Sequence, residues 1–158
     1  MNYLIARRGG LLVHGCGVVD RGKGYLFAGH ADHGKSTIAK LWGNKAEVLG
    51  DEIVAVIAED GGCRIYGTPW HGDYPHVSYG GLPLEKIFFL RHSEKNFVTA
   101  VTGATAGSYL LARSFSPLWD REATAFALGA ADRLVNQVPC YELGFLPDDR
   151  VVEFVRDL

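Results

Sequence analysis

The sequence predicts a mixed α/β fold with a partly antiparallel sheet, and three observations support this prediction. Short apolar runs with β-branched and aromatic residues, which are typical of strands, recur along the chain. Segments with helical spacing of apolar residues separate only some of these runs, so the regular alternation of strand and helix seen in all-parallel sheets is missing. A glycine-rich segment, 29–37, lies between a strand and a helix, which is the arrangement of a phosphate-binding loop (P-loop).

The strands follow from their apolar runs and from the turns between them. Gly22 and Gly24 mark a turn after the first run, and Gly61-Gly62 mark a hairpin turn between two later runs. Several neighbouring strands are therefore expected to pair antiparallel. The predicted strands are 11–19, 25–28, 47–50, 53–58, 63–67, 86–90 and 140–145.

Four segments have the spacing of amphipathic helices, namely 35–42, 104–113, 121–138 and 149–157. Gly43-Asn44 is expected to end the first helix, and Ser116-Pro117 to open the region of the third. Between the strands lies a long segment, 68–83, rich in Gly, Pro, His and aromatic residues. We expect a surface loop there, since loops of that length often carry function.

Length and charge restrict the class of protein. The 158 residues are expected to form one domain, 1–158. The net charge of −2 gives no basis for a nucleic-acid partner, and no apolar run is long enough for a membrane helix. At the N-terminus the arginines follow a short apolar stretch, the reverse of a secretory signal, so a cytoplasmic location is expected. The three scattered cysteines form no C-x-x-C pair and are expected to be buried small residues.

The most informative motif is the P-loop, which matches G-x-x-x-x-G-K-[ST] at every position. Its residues are Gly29, His30, Ala31, Asp32, His33, Gly34, Lys35, Ser36 and Thr37. In such a loop, backbone N–H groups and the helix N-terminus face the phosphates. Lys35 would contact the β- and γ-phosphates, and the Ser36 hydroxyl would ligate Mg²⁺. The motif thus predicts binding of ATP with Mg²⁺. Asp32 is unusual, because its carboxylate would repel phosphate unless it points outward or is offset by His33 or the metal.

Two further features fit phosphoryl transfer. Asp51-Glu52 interrupts an otherwise apolar run, and such a site needs a carboxylate near the metal. The alternative is an ordinary turn between two strands. His14 lies inside the apolar strand before the P-loop strand, either as a core histidine or as a group that contacts phosphate, metal or acceptor.

These pieces occur in one order: His14-Gly15, then the P-loop, then Asp51-Glu52. The order resembles the C-terminal catalytic domain of HPr kinase/phosphorylase and, more remotely, ATP-dependent phosphoenolpyruvate carboxykinase. The chain also resembles small stand-alone HPr-kinase-like proteins of bacteria, which carry the stretches at 67–72 and 139–145. The resemblance implies a P-loop-containing, HPr kinase/phosphoenolpyruvate carboxykinase-like fold.

The resemblance also implies roles for individual residues. Asp51 would be the base that takes the acceptor proton, His14 would assist it, and Lys35 would bind phosphates. The metal ligands would come from Ser36, Asp51 and Glu52, with Glu52 in place of the family's second Asp. The family's later Glu-x-Arg-Gly-x-Gly stretch has no match in this sequence.

Three functions remain open at this level. The first is a kinase, a transferase that moves the γ-phosphate of ATP to a serine hydroxyl of a small protein or peptide. The second is a nucleotide-binding sensor or assembly module without chemistry, which Asp32 favours. The third, carboxykinase chemistry on a small acid, lacks a visible basic cluster. The resemblance further implies a possible homo-oligomer.

Other residues were candidates without an assigned role. The segment 70–76 gathers two His, an Asp and two aromatic residues, and is expected either to contact nucleotide or acceptor, to hold a metal, or simply to pack. Arg91, Arg113 and Arg121 are each either surface residues or a group that stabilises transferring charge. Glu142 has no chemical role beyond the family likeness.

Overall fold

The two longest strands organise the fold, which is described by a computed structural model covering residues 1–158. They are β1 (Gly10–Asp20) and β6 (Gly81–His92). The other strands are β2 (Lys23–Ala28), β3 (Glu47–Gly50), β4 (Ile53–Glu59), β5 (Gly62–Gly67), β7 (Phe97–Val101) and β8 (Cys140–Phe145). The helices are α1 (Asn2–Arg7), α2 (Lys35–Trp42), α3 (Gly103–Ala112), α4 (Arg121–Gln137) and α5 (Arg150–Arg156).

All eight strands join in one mixed sheet. The first half of β1 pairs antiparallel with β4, and its second half pairs antiparallel with β2 and β3. The start of β6 pairs antiparallel with β5, whereas the rest of β6 lies parallel between β2 and β8. The predicted mixed α/β fold with a partly antiparallel sheet is therefore confirmed.

Two buried clusters of apolar side chains lie on the two faces of the sheet. The larger one joins alternate residues of β1, β2, β4 and β6 to the buried faces of α3 and α4. The smaller cluster contains the intervening residues, such as Phe27 and Phe88, whose side chains point to the opposite face of the sheet. They pack against α2 and α5. This alternation is expected of strands covered on both faces, and it places α2, with the P-loop before it, against β1 and β2.

The structure differs from the sequence prediction in four elements. β6 spans 81–92 rather than 86–90, so the predicted loop 68–83 ends at residue 80. β7 was not predicted, although four of its five residues are apolar; none of them is fully buried. α1 was not predicted either; it is short and is tied to α4 by a hydrogen bond from Tyr3 to Glu122 (3.1 Å).

The fourth difference concerns the start of α4. Ser116-Pro117 does not open this helix: Asp120 is its N-cap, and the Asp120 carboxylate accepts a hydrogen bond from the Ala123 amide (2.7 Å). The segment before it instead runs along β1, with a bridge between Val13 and Ser114. The Asp120 side chain satisfies an N–H group that would otherwise be free at the start of the helix. A proline upstream of the helix cannot do this.

None of the five helices combines the length and the apolar character that a membrane crossing requires.

Candidate functional site

The candidate site lies at the edge of the sheet where β2, β6 and β8 end. These three strands are parallel, so their carboxyl ends meet at one edge, and the P-loop leaves β2 at that edge. A cavity of about 460 Å³ opens there. It is lined by His14, Ala31, Asp32, Gly34, Lys35, Ser36, Thr37, Glu52, Asp73 and His92. Its size is within the range of small-molecule sites, about 300–1,000 Å³.

The backbone of the P-loop takes two left-handed residues. Gly34 (φ 92°) is the N-cap of α2, and a Cβ there would lie 2.7 Å from the Phe145 ring, so only glycine fits. Asp32 (φ 63°) is a non-glycine residue in the same region, which is uncommon. The carbonyl of Asp32 accepts a hydrogen bond from His92 Nε2 (2.5 Å), which ties the loop to the end of β6. The Asp32 side chain is exposed.

Lys35 is held inside the loop. Its side chain is 6% exposed, and Nζ donates to the carbonyl of His30 (2.7 Å). Burial lowers the pKa of Lys35 below its ordinary value, and the carboxylates of Glu52 and Asp51 oppose this shift. An ammonium group that is partly stripped of water and has no direct carboxylate partner is suited to bind an anion.

Asp51 is completely buried and is the centre of a hydrogen-bond network. Its Oδ2 accepts from the Ser36 hydroxyl (2.7 Å) and from the Tyr74 amide (2.9 Å), and its Oδ1 accepts from the Gly72 amide (2.7 Å). Asp51 does not line the cavity. The network therefore joins the start of α2, the turn after β3 and the loop 68–80 behind the cavity wall.

Glu52, the neighbour of Asp51, faces the cavity together with His14. Glu52 Oε1 lies 3.2 Å from His14 Nε2. The pKa of His14 is lowered by burial and by the charge of Lys35, and Glu52 opposes this shift. Near neutral pH the pair thus places an uncharged imidazole, which is able to accept a proton, beside Glu52.

The structure brings together most, but not all, of the residues that the sequence predicted for the site. His14, Glu52 and the P-loop residues Ala31, Asp32 and Gly34 to Thr37 line the cavity. Gly29, His30 and His33 belong to the loop but do not line the cavity. The roles assigned to all of these residues stay predictions.

Two residues of the cavity had no individual role in the sequence prediction. His92 had no sequence signal, because the predicted strand ended at residue 90, whereas β6 extends to His92. Asp73 lies in the segment 70–76 that was weighed as a nucleotide or acceptor contact, and its position in the cavity wall agrees with that hypothesis.

The three arginines occupy different environments. Arg91 pairs with Glu142 (2.8 Å) at the exposed end of β6. Arg113 is half-buried, with its guanidinium group 5.3 Å from the ring centroids of Phe89 and Tyr109. Arg121 is exposed at the start of α4. None of the three lines the cavity.

The charges of the cavity indicate which ligand fits. Three carboxylates, those of Asp32, Glu52 and Asp73, face one lysine, so a free polyphosphate would meet more negative than positive charge. No group of three or more His, Cys, Asp or Glu side chains is arranged to enclose a metal ion. Ser36 and Asp51 nevertheless offer adjacent oxygen atoms. Mg²⁺ commonly uses one or two protein oxygens and completes its shell with water and phosphate, so the donor set fits that ion.

Comparisons with known proteins show a remote relationship in fold. No family model matches the chain, and the comparison with curated proteins finds no match. The solved structure of the Hpr(Ser) kinase/phosphatase from Coxiella burnetii is similar, with a TM-score of 0.53 over 93% of this chain and 87% of that chain, at 11% sequence identity. The chain therefore has a fold similar to that of this protein.

Proposed function

We propose that this protein binds ATP with Mg²⁺ and transfers the γ-phosphate to a serine hydroxyl of a small protein or peptide. The observation that carries the proposal is the convergence on one cavity of a P-loop lysine, the Ser36 hydroxyl with Asp51 hydrogen-bonded behind it, and a His–Glu pair. Phosphoryl transfer requires mainly positioning and charge stabilisation, and each of these groups has a part in it. The kinase-like fold supports the same reaction class.

Each group has a defined task in the proposed reaction. Lys35 leaves the His30 carbonyl and contacts the β- and γ-phosphates. Ser36 and Asp51 would hold the metal through their oxygen atoms, and the metal, when bound, would spread the negative charge of the phosphates. The acceptor hydroxyl oxygen attacks the γ-phosphorus, the bond to the β–γ bridging oxygen breaks, and ADP leaves with that electron pair.

The proton of the acceptor hydroxyl goes to the His14–Glu52 pair, because this pair faces the cavity. Asp51, the base implied by the family resemblance, would need to exchange its contacts with the Gly72 and Tyr74 amides before it reached an acceptor. We therefore assign proton transfer to Glu52 or His14, and metal binding to Asp51.

Substitutions at the cavity test this proposal in two stages. Calorimetric titration with ATP and Mg²⁺ is expected to show binding that Lys35→Ala abolishes. Lys40→Ala, an exposed lysine on the same helix, is the matched control and retains it. With serine peptides as acceptors, Glu52→Gln is expected to slow transfer by about 10²–10⁴-fold and to leave the affinity for Mg·ATP nearly unchanged. Equal transfer rates in wild type and Glu52→Gln would exclude Glu52 as the base, and equal rates in His14→Ala as well would refute the assignment to this pair.

A second function, nucleotide binding without phosphate transfer, is favoured by the hydrogen bonds of Asp51. All its hydrogen bonds are to Ser36 and to the loop 68–80, so a bound nucleotide could act by rearranging that loop. This function predicts binding of Mg·ATP together with complete absence of phosphate transfer to serine peptides. It further predicts that amide exchange in the loop changes when nucleotide binds.

A further inference from the structure

An apolar groove lies between the end of α3, the segment 113–119 and the start of α4. It has a volume of about 290 Å³, and five of its eight lining residues are hydrophobic, among them Leu111, Leu118 and Leu128. Large apolar side chains around it remain in contact with water: Trp119 is 83% exposed and Leu118 74%. Contiguous exposed apolar surface of this kind commonly marks a binding site.

The segment 113–116, which forms one wall of the groove, has backbone hydrogen-bonding groups without partners on one side. Phe115 N donates to Leu12 O (2.9 Å), and His14 N donates to Arg113 O (2.7 Å), so the segment pairs antiparallel with β1. In such a ladder every second residue directs its backbone N–H and C=O groups away from the partner strand. The groups that point away belong to Ser114 and Ser116, and neither Ser114 O nor Ser116 N has a partner in the chain. The buried Ser116 hydroxyl has no partner either.

Unpaired backbone groups at an extended edge are complementary to another backbone. A peptide that adds along Ser114–Ser116 would receive one hydrogen bond and donate one, as in the addition of a strand to a sheet edge. Its side chains would alternate, so one of them would enter the apolar groove. A small molecule that filled the groove would leave the backbone groups of this edge unsatisfied, and a polypeptide is therefore the ligand that satisfies both features.

A single residue, Phe115, separates the groove from the cavity. Phe115 lies between Ser114 and Ser116, which line the groove, and its ring centroid is 5.9 Å from that of His14, which lines the cavity. An extended chain advances about 3.3 Å per residue. A side chain in the groove and a hydroxyl group beside His14 can therefore belong to one short peptide, a few residues apart.

We infer that this groove and the edge of Ser114–Ser116 bind an extended segment of the acceptor polypeptide through an aliphatic or aromatic residue close to the phosphorylated serine. The identification of the ligand as the acceptor rests on the proposed function. The binding of a polypeptide rests on the groove and the unpaired edge alone.

Short immobilised peptides with varied flanking residues test the inference by binding. One set carries a single central serine and a matched set carries alanine instead, and both are probed with the protein, Mg²⁺ and a non-hydrolysable ATP analogue. We expect wild type to select peptides with an apolar residue at a fixed distance from the centre, in both sets. Leu118→Glu is expected to weaken this binding by about tenfold or more, because it places a charge in an apolar groove.

The matched control is Leu158→Glu, which changes an exposed leucine at the other end of the chain and is expected to bind peptides like wild type. Titration with Mg·ATP shows that both variants are folded and retain their cavity. Equal peptide binding by wild type and Leu118→Glu would overturn the inference, as would the absence of peptide selection by wild type. If sedimentation shows dimers that Leu118→Glu dissociates, without peptide binding, the groove is an interface between two copies and the inference is wrong.

Phosphate transfer to the serine set separates this inference from the proposed function. Peptide binding with apolar selection but without transfer would support the groove and refute the kinase. Transfer without any apolar preference, equally fast in Leu118→Glu, would support the kinase and refute the groove.

Discussion

Replacement of Asp51 by Asn is expected to destabilise the protein well beyond the loss of one surface contact. The carboxylate accepts three hydrogen bonds in a fully buried position. An asparagine has one acceptor oxygen. In either orientation of the amide, its NH₂ group faces a backbone N–H, that of Gly72 or that of Tyr74, and one donor is left without a partner.

The size of the effect follows from those contacts. A hydrogen bond to a charged group contributes about 1.5–3 kcal/mol, and an unsatisfied buried donor costs about 1–3 kcal/mol. Since the loop 68–80 is able to shift and admit water, we expect the free energy of unfolding to fall by about 2–4 kcal/mol. For a chain of this length that corresponds to a fall in Tm of about 4–16 °C.

Thermal and urea unfolding of the two proteins at neutral pH measure this difference, and amide exchange at Gly72 and Tyr74 locates it. Ser36→Ala is the comparison. It removes one donor to the carboxylate and leaves both backbone donors paired, so a loss at the lower end of that range, about 1.5 kcal/mol, is expected. If Asp51→Asn unfolds within about 0.5 kcal/mol of wild type, the usual range for surface substitutions, the buried network does not stabilise the fold and the reasoning is refuted.

Two further predictions concern the loop and the pH. Gly72→Ala places a Cβ 3.1 Å from Asp51 Oδ2 and 3.3 Å from Glu52 Oε2, so it is expected to displace the loop and to increase its proteolysis, whereas Gly61→Ala, with no atom within 4 Å, should not. Burial lowers the pKa of His14 and of His33, and a bound polyphosphate would raise both, so the affinity for Mg·ATP should increase as the pH falls from about 8 to 6. Titration in buffers of different ionisation enthalpy should show proton uptake on binding, and a pH-independent affinity would contradict this account.

Part of the fold was predictable because its signals are local. The P-loop motif, the apolar run of β2 before it and the helical spacing of α2 after it are neighbours in the chain, and the structure has these elements at the predicted positions. β7 was missed although four of its five residues are apolar, because a short apolar run does not show which strand it pairs with. It is an edge strand whose residues are only partly buried, and it is a strand because β8 offers it an unpaired edge.

The candidate site was predictable in its residues but not in their arrangement. His14 and Asp51-Glu52 stood out as polar residues in apolar runs. The sequence did not show that the two carboxylates differ, with Asp51 buried against backbone amides and Glu52 beside His14 at the cavity. That difference depends on amides more than twenty positions further along the chain. No local pattern encodes such a distant pairing.

The sequence by itself determined the phosphate-loop motif, the mixed α/β character and the set of candidate residues, because each of these follows from residue types at short spacing. Only the tertiary structure decided which strands are parallel, and hence that His92 meets the P-loop at the end of β6. It also decided that Ser114–Ser116 lies along β1 and forms one wall of a groove next to His14, instead of starting a helix. The physical reason is that register and side-chain burial are set by contacts between segments distant in sequence, which a single sequence does not display.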